Sequence, residues 1–292
     1  MHPCIWEGGV SYITHFLSVE MQPLNIFNSN LGVDFRFFVR LHDGRGLVSC
    51  HSLNVVLVVN SDGDVVGRLS DGISRPEGIA VNGKGLIHVV DRHENCIHVF
   101  GGDLSRQRSI YMDNRDPGSL NQPVGIAISG VDDRIYVADN ENHRVLVLSA
   151  EGDHVYTIGG GGYDTAPGRF FCPCGVALFN HPIHGELVIV SEWGGGRVQV
   201  FRVTGALFAL YGGVSHAHDV VVDSDGVVYV SEYSNRKIKK FSLDGELVGG
   251  GEWGGSAVSL VADNSGLNSV VMRDQVVLVL KENKKRRLTV QT

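Results

Sequence analysis

The sequence predicts an all-β chain, a six-bladed β-propeller of four-stranded antiparallel blades. Three observations predict it: a pattern returning about every 47 residues, short strand-type blocks inside each return, and a composition rich in turn-forming glycine. Glycine supplies 38 of the 292 residues, well above the usual share of about 7%. Hydrophobic residues at 43% and charged residues at 20% suit a packed globule rather than a disordered chain.

The repeat is read from its first block. Arg75-Pro-Glu-Gly-Ile-Ala-Val81, Gln122-Pro-Val-Gly-Ile-Ala-Ile128 and Cys172-Pro-Cys-Gly-Val-Ala-Leu178 align directly, and Ala217-His-Asp-Val-Val-Val222 keeps the apolar pattern without Pro or Gly. A second block follows each: Ile87–Asp91, Ile135–Asp139, Val188–Glu192 and Val228–Glu232. A third follows in turn: Cys96–Phe100, Arg144–Leu148, Arg197–Phe201 and Lys237–Phe241. Each then runs through a polar or glycine turn into a fourth, such as Val155–Ile158 or Leu207–Tyr211. Two weaker copies extend the series, one anchored at Pro23 and one at Ala257. The blocks are β-branched and aromatic, bounded by Gly, Asn, Asp or Ser, and lack the 3.6-residue period of helices. One such sheet cannot bury both its faces alone, so the sheets are expected to stack around an axis.

Residues 1–292 are read as a single domain, with the clearest repeats over 76–250. Residues 1–22 are a candidate closing strand for the last blade or an extension, in competition with Leu288–Gln291. Closure of the ring removes sheet edges that would otherwise pair with other chains.

Net charge of −7 argues against a broad basic surface for DNA or anionic membranes, and no apolar run is long enough for a membrane helix. The start lacks a basic region followed by an apolar core, and the 5 cysteines are irregularly spaced. An intracellular, cytoplasmic chain with reduced thiols is therefore expected. Cys172-Pro-Cys174 does not have zinc-knuckle spacing, so buried thiols are expected there.

Asp91, Asp139, Glu192 and Glu232 share one slot in four repeats. They are read as architecture, each carboxylate accepting backbone N–H groups in the turn after its strand. Phe100, Phe201 and Phe241 share another slot and are read as packing between blades. His216-Ala-His218-Asp219 stands where the Pro-x-Gly anchor belongs, on the way into an innermost strand. Two imidazoles and a carboxylate converging there are the candidate metal ligands, zinc being the candidate ion and no other cofactor being expected. His93 and His143 lie on loops of the same side. Trp193, Tyr163, Phe170 and Trp253 are the candidate partner-binding aromatics. Lys284–Arg287 is a basic run that suits RNA or a solvated hairpin. There is no serine nucleophile elbow, phosphate-cradling loop or dinucleotide fingerprint.

Pro-x-Gly-Ile-Ala, followed by Ile135-Tyr-Val-Ala-Asp139-Asn-Glu-Asn-His143-Arg144-Val-Leu-Val-Leu148, resembles the NHL repeat. That resemblance implies a propeller, and a family whose members bind protein partners, read RNA, sense ligands, or act as a zinc-dependent peptide-amidating lyase. His218-Asp219 resembles one zinc-binding anchor of that lyase, but the matching anchors here hold Glu77-Gly78, Val124-Gly125 and Cys174-Gly175. Propeller lactonases imply acidic groups at several anchors, where only Glu77 and Asp219 qualify. The expectation is a non-catalytic interaction module that binds a protein partner through one loop face. The alternatives are a metal-dependent lyase or hydrolase at the channel mouth, and an RNA-binding propeller.

Overall fold

The structure is a computed structural model that describes residues 21–24, 34–111, 118–160, 162–252, 256–263, 266–272 and 275–279. It is an all-β propeller whose strands form six four-stranded antiparallel sheets. Five sheets use consecutive strands: Phe35–Arg40 to Val65–Leu69, Pro76–Val81 to Arg106–Tyr111, Pro123–Ile128 to His154–Gly159, Pro173–His181 to Leu207–Tyr211, and Ala217–Val222 to Leu247–Glu252. The sixth joins Ala257–Asp263, Gly266–Met272 and Gln275–Val279 to Met21–Leu24 from the other end of the sequence.

Two sequence readings are corrected here. Pro23 does not anchor an innermost strand; its strand pairs Met21 with Val279 and Leu24 with Val276, as the outer strand of the last sheet. The innermost strand of the first blade is Phe35–Arg40, which carries no Pro-x-Gly. Closure by an N-terminal segment was expected from residues 1–22, and the strand that closes is Met21–Leu24. Leu288–Gln291, Trp253 and Lys284–Arg287 lie outside the described residues.

The first strands of successive sheets touch one another around a circle, and Ala257–Asp263 returns to touch Phe35–Arg40. Each sheet is covered on both faces by its neighbours, which is why Gly46–Cys50, Val55–Val59 and Ile87–Asp91 are buried at every residue. Outer strands such as Val65–Leu69 expose most of their length. Leu47, Val56 and Val58 of the first blade pack with Ile79, Ile87, Val89 and Phe100 of the second. Phe201 joins the third and fourth blades and Phe241 the fourth and fifth, so this slot does pack between blades. Each such side chain contributes about 1.5–3 kcal/mol of hydrophobic stabilisation. Among the described residues, no helix is long and apolar enough to cross a membrane.

The repeated carboxylates knit each blade to the loop that enters it. Asp91 accepts the N–H of Ser74 at 2.6 Å and of Glu94 at 3.0 Å. Asp139 accepts Asn121 N–H, Glu192 accepts Phe171 N–H, and Glu232 accepts Ser215 N–H. Three of them also meet a cation on the third strand: Arg144, Arg197 and Lys239. Burial alone would push the Asp91 carboxyl up, but hydrogen bonds from His98 and from backbone Ser74, Glu94 and Arg75 outweigh it and hold it down at about 2. A lowered folded-state value stabilises the fold above the unfolded value of 3.8, and that stability is lost as pH falls toward about 2. The expected loss is about 2 kcal/mol. Urea midpoints measured across this acid range are expected to fall steeply for the native chain and less steeply for Asp91→Asn.

Candidate functional site

The first and second strands of each blade deliver two side chains to one end of the axis. In five of the six innermost strands the register breaks between the first and fourth residues, as in Pro76/Ile79 and Ala217/Val220. Such bulges re-aim side chains. The second residue of each strand forms a ring: Arg36, Glu77, Val124, Cys174, His218 and Val258. The residue just after each second strand forms an outer ring of His51, Arg92, Asn140, Trp193 and Tyr233. Between them lies a cavity of about 490 Å³, whose wall includes Arg36, Arg92, Asn140, Trp193, His218 and Tyr233.

Glu77 is the unusual group. It is 1% exposed, and neither carboxylate oxygen has a hydrogen-bond partner. Arg92 Nη1 and His51 Nδ1 approach one of those oxygens only to 3.7 and 3.8 Å, beyond hydrogen-bond reach. Burial pushes the Glu77 carboxyl up, and the Arg36, Arg92 and Arg75 charges offset this only in part. His51 accepts a hydrogen bond from Arg36 Nε at 3.1 Å. Burial and then Arg36 and Arg75 lower it to about 4, so its imidazole is neutral at pH 7.

His218 stands three blades away, on the opposite side of the ring. Burial first, and Arg36 next, lower its imidazole to about 4. A hydrogen bond to the Val258 backbone occupies the ring, while the buried Nδ1 has no partner. Trp193 meets His218 edge-on at 5.8 Å and lies 5.3 Å from Tyr233. Cys174, between these groups, is buried and its thiol is pushed up by burial, so it is a neutral wall of the cavity.

The expected metal triad is not assembled. His216 is exposed, with Nδ1 3.1 Å from Ser234 Oγ. Asp219 spends both oxygens on the N–H groups of Val220 and Leu260, each at 2.9 Å, which staples the fifth blade to the sixth. Successive strand side chains point opposite ways, and Asp219 instead lines a cavity of about 230 Å³ at the other end of the axis. Burial raises its carboxyl to about 6. Among the described residues, no group of three or more His, Cys, Asp or Glu side chains is placed to hold a metal ion. The zinc implied by the amidating-lyase resemblance therefore does not fit these residues.

Of the candidate aromatics, Trp193 lines the cavity and Tyr163 is 72% exposed. Phe170 is corrected: it is fully buried against Phe201 at 5.3 Å, so it packs blades and cannot meet a partner. His93 is exposed beside Glu94, and His143 accepts the Cys172 N–H, so neither joins the cavity. Sequence reasoning missed Arg36, His51, Arg92, Asn140 and Tyr233. Their signal is positional, each being the slot where its repeat departs from its neighbours.

An NHL-repeat family model matches residues 120–148. The chain is 27% identical over 133 residues to Protein brain tumor of Drosophila melanogaster, covering 45% of this chain and 12% of that protein. It is 34% identical over 84 residues to NHL repeat-containing protein 2 of Homo sapiens, covering 26% and 11% respectively. It thus spans only about a ninth of these relatives. Among solved structures, it is similar to a gluconolactonase, XC5397 of Xanthomonas campestris, with a TM-score of 0.73 at 18% identity over 93% of this chain and 94% of that one. It is also similar to virginiamycin B lyase of Staphylococcus aureus, with a TM-score of 0.63 at 11% identity over 89% and 87%. At such identities the likeness is one of fold. Both neighbours are enzymes by name, and together with the unpartnered imidazole in the cavity wall and the unpartnered carboxylate behind Arg92 they overturn the expectation of a non-catalytic interaction module. With the NHL match in its third blade, a curated relative named for the same repeat, and four-stranded blades throughout, this chain is a β-propeller that carries an NHL repeat at residues 120–148.

Proposed function

We propose that the chain is an enzyme of the lyase or hydrolase class, with its site at the channel mouth of a six-bladed ring. The observation that carries this is Glu77, a buried carboxylate with neither oxygen hydrogen-bonded, 3.7 Å behind Arg92 in the wall of a cavity of substrate size. An unsatisfied buried carboxyl costs stability of about 1–3 kcal/mol or more, and such costs cluster where a protein needs proton transfer. Raised above its ordinary value of 4.5, Glu77 is a stronger base than a surface carboxylate. It takes a proton either from carbon beside a carbonyl, which starts an elimination, or from a water that attacks one. Arg36 and Arg92 favour the negative charge that then develops on the carbonyl oxygen. Neutral His218 accepts a hydrogen bond at Nδ1 from a substrate hydroxyl, amide or water, and so fixes its orientation.

The test is turnover of lactones, simple esters and virginiamycin B by the purified chain across pH. The expected rate climbs with pH through an apparent value above 4.5, and that limb disappears in Glu77→Gln. A rate equal to buffer alone on every substrate, or an unchanged profile in Glu77→Gln, overturns the proposal.

A further inference from the structure

The cavity is two-sided, and the two sides ask for different halves of one ligand. On one side Arg92 donates Nε and Nη2 to a single neutral acceptor, Gln122 Oε1, at 3.2 and 2.9 Å. This holds the guanidinium in place without neutralising it, and turns Nη1 toward Glu77. Among the described residues, no carboxylate lies within hydrogen-bond distance of Arg92. Arg36, by contrast, is matched by Asp34 at 3.1 Å. The mouth thus holds a guanidinium whose nearest carboxylate, Glu77 at 3.7 Å, stands beyond hydrogen-bond reach. On the other side Trp193 and Tyr233 stand 5.3 Å apart, with Val124 and Cys174 as an apolar floor.

From this division we infer that the ligand is an organic monoanion, a carboxylate joined to a flat apolar ring. The inference rests on the proposed enzymatic site and names its substrate class. The carboxylate meets Arg92, because a planar guanidinium matches a planar carboxylate in charge and geometry. The ring lies against Trp193 and Tyr233, where aromatic contact adds to apolar burial. A phosphate dianion is disfavoured: Glu141 borders the same space and Glu77 stands 3.7 Å behind Arg92, and both repel a second negative charge. The volume of about 490 Å³ admits a small ligand of this kind but not a folded partner.

The experiment is calorimetric titration with 3-phenylpropionate, its primary amide and inorganic phosphate, each taken to about 10 mM. The carboxylate is expected to bind at least about tenfold more tightly than the amide or phosphate. Arg92→Gln is expected to abolish that preference and leave amide binding unchanged, while Trp193→Ala weakens both organic ligands together. Thermal melts of both variants check that the ring is intact. Equal binding of acid and amide, tighter phosphate, no carboxylate binding, or a preference that survives Arg92→Gln overturns the inference. Glu77→Gln separates the two proposals. If it keeps the carboxylate preference and no substrate is turned over by the native chain, recognition stands and the enzymatic reading falls. Turnover confined to uncharged substrates sinks the ligand class alone.

Discussion

Glu77→Gln is expected to lower kcat/KM by at least about a hundredfold while raising the thermal midpoint. The two effects have one origin. Burial raises the Glu77 carboxyl in the folded chain above 4.5, so the folded state binds the proton more tightly than the unfolded state. Stability then falls as pH rises from the unfolded value through the folded one, the reverse of Asp91. An amide of the same shape carries no such dependence, so the gap between variant and native chain widens toward neutral pH. The removed cost is on the order of 1 kcal/mol, which for a domain of this size is a midpoint shift of about 2–4 °C. Differential scanning calorimetry at pH 5 and pH 7 reads it directly. A variant that loses both activity and stability would make Glu77 a structural residue and remove the basis of the proposed chemistry.

The second large effect is on the ring itself. Gly125→Ala is expected to lower the melting midpoint by about 10 °C, corresponding to roughly 3 kcal/mol. A Cβ at Gly125 falls 2.4 Å from the Cys174 carbonyl oxygen and 3.1 Å from Gly175 Cα, both backbone atoms of the next blade. Nothing there can rotate aside, so two innermost strands must separate. Gly78 is in the same position against Val124 O, at 2.5 Å. The glycine of Pro-x-Gly is thus the residue that lets neighbouring blades touch at the axis. Gly83→Ala is the control, since a Cβ there meets nothing within 4 Å. An equal drop in both variants would show that glycine content, not the axial contact, sets stability.

The blades were legible because a strand buried on both faces must be apolar almost throughout, and four such blocks with turns leave a period. The first blade was misplaced for the same reason. Gln22-Pro23 imitates the anchor of Gln122-Pro123, whereas the true innermost strand begins Phe35-Arg36-Phe37 and carries Phe37 where the next three blades have glycine. The candidate site was half legible. Departures from the anchor at Glu77 and His218 were visible, but His216-Ala-His218-Asp219 read as a cluster only while the strand was a string of letters. Pleating and the bulge send the three side chains three ways. Arg36, Arg92 and Tyr233 come from different repeats, and only blade-to-blade register brings them to one cavity. Phe170 shows the limit of reading a loop as surface. Its ring fills the space between Gly159 and Phe201.

The pairing of Met21–Leu24 with Gln275–Val279 fixes when this protein can be finished. Vectorial synthesis delivers five sheets from contiguous chain, and each can fold as it emerges. The last cannot, because its outer strand is made near the beginning and its partner near the end. Until Val279 has emerged, the nascent molecule is an arc with bare apolar sheets at both tips. A ribosome stalled in that interval presents an aggregation-prone species that the completed circle never shows.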